Sequence, residues 1–162
     1  MLRWFVTGLT VFSALQSPLV AQSANDSLVI RVEGRAPLVL RAAELRALPR
    51  DSIRGTMKHG EGLFRGPSVK DVFKLAGIAL DSIRGPKLAQ YALFEASDGY
   101  RVVLGLSELS EDISARRMLI ADEVDGKPLP GTAGPWQLIV AGDSHPTRWI
   151  HSLVSISVRK AP

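Results

Sequence analysis

The sequence predicts an α+β domain built on mixed, largely antiparallel sheets with two or three short helices. Three observations point there. Apolar and polar residues alternate in short runs, the period of half-buried strands. Those runs follow one another across turn residues as hairpins, rather than alternating with long helices as βαβ units do. Only residues 68–77 carry a full helical pattern with a signal at each end. A chain of 162 residues, 46% hydrophobic and 22% charged, suffices for one ordinary domain and has a globular balance.

Taken in order, Ser27–Glu33 is a strand with Leu28, Ile30 and Val32 on one face. Gly34-Arg35-Ala36-Pro37 turns the chain into a second extended run, Leu38–Leu40. Arg41–Leu48 is a short helix ended by Pro49. Asp51–Met57 is a strand, His59–Gly62 a turn, and Leu63–Arg65 the returning strand. Ser68 can cap a helix because its hydroxyl accepts from a free N–H of the first turn. Val69, Val72, Phe73 and Ala76 then share one helical face, and Gly77 closes it. Tyr91–Ser97 and Tyr100–Leu104 flank Asp98-Gly99, a pair that tolerates the positive φ of a tight hairpin. Leu106–Leu109 is a helical turn, Arg117–Val124 a strand, and Asp125-Gly126 a turn. Trp136–Ala141 and Trp149–Val158 are the last strands, with Ile150, Ser152, Val154, Ile156 and Val158 expected on one face. The tally is about seven strands. Asp-Ser-Ile-Arg-Gly occurs at 51–55 and 81–85 with unlike flanks, and is read as coincidence.

Composition excludes several classes. There is no cysteine, hence no disulfide scaffold, thiolate metal site or Cys nucleophile. The net charge is +4 without a dense basic run, so nucleic acid is not an expected partner. Residues 1–23 have the order of an export signal: Arg3, an apolar stretch from Trp4 to Leu15, then small residues at Ala21-Gln22-Ser23. The remaining chain, with its domain at residues 28–159, is expected to be periplasmic or secreted and to have no membrane span after signal cleavage.

Several motifs suggest chemistry that their surroundings do not support. Gly142-Asp143-Ser144-His145 lacks the downstream acid and the glycines of a nucleophilic serine, and reads as a loop. Gly60-Glu61-Gly62 resembles a phosphate loop, but Gly66-Pro67 separates it from the helix, so a β-turn is expected. His59, His145 and His151 show no metal-ligand spacing, and no metal is expected. His151 is expected to face solvent or a neighbour on the sheet. Glu108, Glu111, Asp112, Asp122, Glu123 and Asp125 read as a solvated acidic surface.

The segment from Phe64-Arg65-Gly66 through Asp71-Val72-Phe73 to Ala76-Gly77 is followed in order by further pieces. These are Ala96–Tyr100, Leu119-Ile120-Ala121, Asp125–Leu129, Gly134-Pro135-Trp136-Gln137-Leu138 and Arg148-Trp149-Ile150. Together they resemble the molybdopterin-binding domain of the sulfite oxidase family, especially its short exported bacterial relatives. The resemblance implies a sulfite-oxidase-type α+β fold and ancestry among oxidoreductases that hold molybdenum through pterin dithiolene sulfurs and one Cys thiolate. This chain has no Cys near Ile53–Met57, where that ligand belongs. Gln137 stands where the family often has an Arg serving the anionic cofactor. The leader has one Arg rather than a twin-Arg pair.

These departures lead to an expected function without a cofactor: an exported binding module for a small anion or another exported protein. Its candidate contacts are His59, Arg65, Gln137, His145, Arg148 and Trp149. The other expectation is an oxidoreductase that still binds a molybdopterin.

Overall fold

In the computed structural model, residues 26–57 and 60–162 are described. The expected leader and His59 lie outside the described residues. The first layer is a five-stranded sheet. Strands β1 (Ser27–Val32) and β2 (Leu38–Arg41) form an antiparallel pair. Strands β5 (Gln90–Ala96) and β6 (Arg101–Gly105) form the Asp-Gly hairpin, with Gly99 at φ 86° as the turn requires. The strand β11 (Leu153–Lys160) fills the gap between the two pairs, giving the order β2-β1-β11-β5-β6. It runs parallel to β1 and antiparallel to β5. Alternation sends Leu28, Ile30, Ala92, Phe94, Ile156 and Val158 into the core and leaves Val29, Arg31, Leu93, Ser155 and Ser157 on the opposite face.

The second layer is two smaller antiparallel sheets. Strands β3 (Arg50–Met57) and β4 (Gly60–Pro67) pair along their full length, and β8 (Glu123–Val124) and β9 (Lys127–Pro128) extend them in the order β3-β4-β8-β9. Strand β7 (Met118–Ala121) pairs with β10 (Gln137–Val140), and all eight residues are buried. β4 crosses β7 at very short range. A Cβ at Gly66 would sit 2.1 Å from the Ile120 carbonyl oxygen, so only glycine permits the crossing.

The helices are short. α1 spans Ala42–Arg46, α3 Leu106–Leu109 and α4 Glu111–Ser114. α2 (Val69–Leu75) has the expected cap: Ser68 Oγ accepts from Asp71 N–H at 3.0 Å. Its Phe73 stacks on Phe94 of the large sheet at 6.4 Å, which joins the two layers.

Four expectations need correction. Residues 60–62 are not a turn: Gly60 pairs with Met57 and Gly62 with Gly55 as part of β4. The expected strand Arg117–Val124 is two strands in different sheets, β7 and β8, broken at Asp122. Asp122 does not belong to a solvated surface. It is buried and accepts from Arg46 Nε at 3.2 Å and Arg50 Nη2 at 2.6 Å, because a buried carboxylate needs cationic partners. Finally, the expected strand Trp149–Val158 starts only at Leu153. Ser152 takes φ 47° and bulges the chain there, with Ile150 accepting from the Leu138 N–H before it and Leu153 donating to the Trp136 carbonyl after it, so the regular alternation expected from Ile150 to Val158 is broken.

Candidate binding site

The second layer and the β10–β11 connection enclose a cavity of about 380 Å³. Its walls are mostly apolar. Met57 comes from β3, Phe64 from β4 and Val124 from β8, with Leu129 and Ala133 from the following loop. Glycines open the space. A Cβ at Gly62 would meet Met57 Cε at 2.8 Å and Val124 Cγ2 at 2.9 Å. A Cβ at Gly55 would fall 2.1 Å from Trp149 Cη2. The indole therefore lies directly on the β3 backbone. Its Nε1 donates to the Val140 carbonyl at 3.0 Å, and it meets Phe64 edge-on at 5.2 Å.

The polar part of the lining is Thr56, Gln137 and His151. Gln137 is only 2% exposed, yet its amide nitrogen finds His151 Nε2 at 3.5 Å, the far limit of a hydrogen bond. A nearly buried amide with so weak a protein partner has bonding capacity to offer a ligand. His151 is placed by its neighbour. The Ser152 Oγ donates to the Gly134 carbonyl at 3.0 Å and the Ser152 N–H to the Ala133 carbonyl at 2.8 Å. Those bonds hold a non-glycine residue in the left-handed region, a conformation that surrounding structure must enforce.

The residues singled out from the sequence divide. Gln137 and Trp149 meet at this cavity, Trp149 as a buried core residue that also forms the wall. Arg65 does not. On β4, Phe64 turns into the cavity and Arg65 points to the opposite face. His145 is exposed and starts the single 3-10 turn Pro146–Arg148, of which only Pro146 reaches the cavity.

Arg148 is an internal clamp. It bonds Asp143 through Nε at 2.9 Å and again through Nη2, and Glu108 through Nη1 at 3.1 Å. Asp143, chiefly through these hydrogen bonds, pushes the guanidinium further above its ordinary range, so its charge is fixed and already matched. Arg116 Nη1 adds a bond to Asp143 at 3.3 Å, and the Tyr100 hydroxyl donates to the Thr147 carbonyl at 2.7 Å. Glu108 is thus part of a tie across the molecule, and not of a free acidic surface.

Sequence reasoning missed His151 as a lining residue. The signal was present: in extended chain, residues two apart face the same way, and His151 follows Trp149 by two. It also missed the close approaches at Gly55, which read as an ordinary strand residue, and at Gly62, which read as a turn residue.

Among the described residues, no group of three or more His, Cys, Asp or Glu could hold a metal ion. No described helix is long and apolar enough to cross a membrane.

No protein-family model and no curated protein matches this sequence. A solved structure does match. The fold is shared with a sulfane dehydrogenase. SoxCD of Paracoccus pantotrophus superposes with a TM-score of 0.62 over 83% of this chain and 39% of that one. Sequence identity is 14%, so the likeness concerns the fold alone. The α+β architecture of mixed and antiparallel sheets with short helices is therefore that of a known oxidoreductase, and this chain spans well under half of that protein's length.

Proposed function

We propose that this chain is an exported, cofactor-free binding module on a scaffold of the sulfite oxidase type, and that it takes a small organic anion in the cavity beneath Trp149. One observation carries the reading: a mostly apolar chamber holds three polar side chains, Thr56, Gln137 and His151, of which the Gln137 amide is buried and has only a weak bond to His151. Binding sites of this kind use apolar walls for affinity and a few polar groups for orientation. A carboxylate or sulfonate can accept N–H bonds from the amide and the imidazole together. Its apolar body would cover Met57, Phe64 and Val124, which a bare inorganic oxyanion would leave uncovered.

The residues do not fit a molybdopterin held as in that family. The sequence contains no cysteine, so no thiolate is available to the metal. Among the described residues the cavity lining includes neither Arg nor Lys. The two arginines expected to help lie elsewhere: Arg65 on the outer face of β4, Arg148 within its ion pairs.

A panel of thermal-shift measurements tests the reading. Aliphatic and aromatic carboxylates and sulfonates are expected to raise the melting temperature, because a ligand that binds only the folded state stabilises it by mass action. Gln137→Leu is expected to remove the shift. Absence of a shift with any organic anion, or an equal shift in Gln137→Leu, rejects the proposal. The likeness to a dehydrogenase favours a second reading, an oxidoreductase that retains a molybdopterin. Stoichiometric molybdenum in protein purified from its native compartment would establish that reading and overturn the first.

A further inference from the structure

The outer face of the five-stranded sheet carries a furrow, and its walls follow from register. The middle strand β11 contributes the small residues Ser155 and Ser157. They are only 5% and 7% exposed because larger neighbours stand on both sides. Val29 lies beside Ser155 and Arg31 beside Ser157 on β1; Glu95 and Leu93 lie beside them on β5. The flanking backbones are two strand spacings apart, about 9.6 Å. The resulting open groove, about 470 Å³, has a hydroxyl floor, apolar shoulders and charged rims.

The charges are unequal. The furrow and its continuation along β11 include Arg31, Arg101, Arg159 and Lys160 against Glu33 and Glu95. Glu95 is already engaged: Arg101 bonds it through Nε at 2.9 Å and Nη2 at 2.7 Å. Arg101 in the first place, with a smaller contribution from Arg31, holds that carboxyl below its ordinary range. Among the described residues no carboxylate lies in ion-pair distance of Arg31 or Arg159. Arg31 on β1 and Arg159 on β11 stand one strand and one row apart, at the levels of Ser157 and Arg159, which sets their backbones about 8 Å apart. Side chains i and i+2 of an extended chain, about 6.7 Å apart, fall within reach of these two long guanidinium arms.

We propose that this furrow docks an extended acidic segment of a partner protein, with carboxylates two residues apart meeting Arg31 and Arg159. The intervening side chains point away, and small apolar residues on the facing side cover Leu93 and Val29. Charge argues against the other occupants. Residues 1–25 contain Arg3 and no Asp or Glu. A second copy presenting the same face would set like charge against like. The site is separate from the cavity beneath Trp149 and does not depend on that reading.

The test uses the mature protein and a fluorescent peptide whose facing positions are Val, Val, Glu and Glu, alternating with Ser (the Glu/Val peptide), compared with Gln/Val and Lys/Val counterparts in which Gln or Lys replaces both Glu. Anisotropy is expected to show binding of the Glu/Val peptide alone. Reversal in the double variant Arg31→Glu, Arg159→Glu is expected to weaken it by at least about tenfold, and neutralisation to Gln at both positions by less. Amide shifts on titration should centre on Ser155 and Ser157. Any thermal shift from organic anions should survive the reversal, which separates this site from the cavity. The proposal is overturned by equal binding of the Gln/Val peptide, or by binding that persists in the reversed variant. Concentration-dependent dimerisation lost in that variant would assign the face to a second copy. Tighter binding of a single-stranded oligonucleotide or of anionic vesicles would assign it to those instead.

Discussion

On one side of the cavity, the β3–β4 hairpin meets its neighbours without intervening side chains. Gly55 lies against the Trp149 indole and Gly66 against the β7 backbone. On the other side, the connection from β10 to β11 is tied by backbone bonds at its two ends, Ala141 N–H to the Arg117 carbonyl and Ser152 N–H to the Ala133 carbonyl, while the stretch between them is held by charge. Arg148 ties Asp143 to Glu108, and Arg116 adds a second bond to Asp143. Both walls shape the same chamber, but they respond to different perturbations. Close packing of backbone is indifferent to salt and pH, and intolerant of a single added carbon. Ion pairs near the surface tolerate substitution and weaken as salt rises.

Gly66→Ala should break the packed wall outright. No flexible side chain is available to move, because the atoms in the way are the backbone of Ile120 and Ala121. We expect a loss of about 4 kcal/mol or more in urea denaturation, unchanged in high salt. A loss under about 1 kcal/mol would mean that β4 and β7 can separate freely. Trp149→Ala removes the residue on which both walls meet. It should cost about 3–5 kcal/mol and eliminate any ligand-induced thermal shift. Retention of that shift would place the ligand elsewhere.

Arg148→Ala tests the charged wall. Its side chain is 28% exposed and Asp143 keeps Arg116, so the expected loss is about 1–2 kcal/mol. In contrast to the glycine variant, the difference from the parent should shrink at high salt. Equal salt dependence in the two variants would erase the distinction between the walls.

The smallest effect is expected at Asp51→Asn. Arg117, mainly through its hydrogen bond, holds the Asp51 carboxyl below the usual carboxylate range. A depressed folded value contributes stability above the unfolded value of about 3.9 and loses it as pH falls through the folded one. Because both partners are about half exposed, the contribution is under about 1 kcal/mol. Stability measured against pH should show parent and variant differing near neutrality and converging in strong acid.

How much of this was legible in the sequence depends on whether the signal was local. The Asp98-Gly99 hairpin and the Ser68-capped helix rest on propensities of adjacent residues, and both stand where the pattern placed them. Residues 60–62 failed because glycine is ambiguous. It marks a turn by freedom of φ and a strand by close approach, and only the position of Met57 and Val124 decides between them. Asp122 failed because its partners, Arg46 and Arg50, are far away in sequence. The same reason separates the site residues. Gln137 and Trp149 converge with the cavity, whereas Arg148 has the charge of a ligand contact but is occupied by Asp143 and Glu108. Charge type can be read from a sequence; whether the charge is already spoken for cannot.

The position of β11 has a consequence for how the molecule assembles. The hairpins β1–β2 and β5–β6 have no direct bond to each other until β11 enters between them. It is translated after every other described element. While residues 153–160 remain within a ribosome or a secretion channel, each hairpin keeps an unpaired edge and the large sheet cannot close. Such a topology defers cooperative closure of the sheet until residues 153–160 have emerged, so the last strand acts as the latch of the layer.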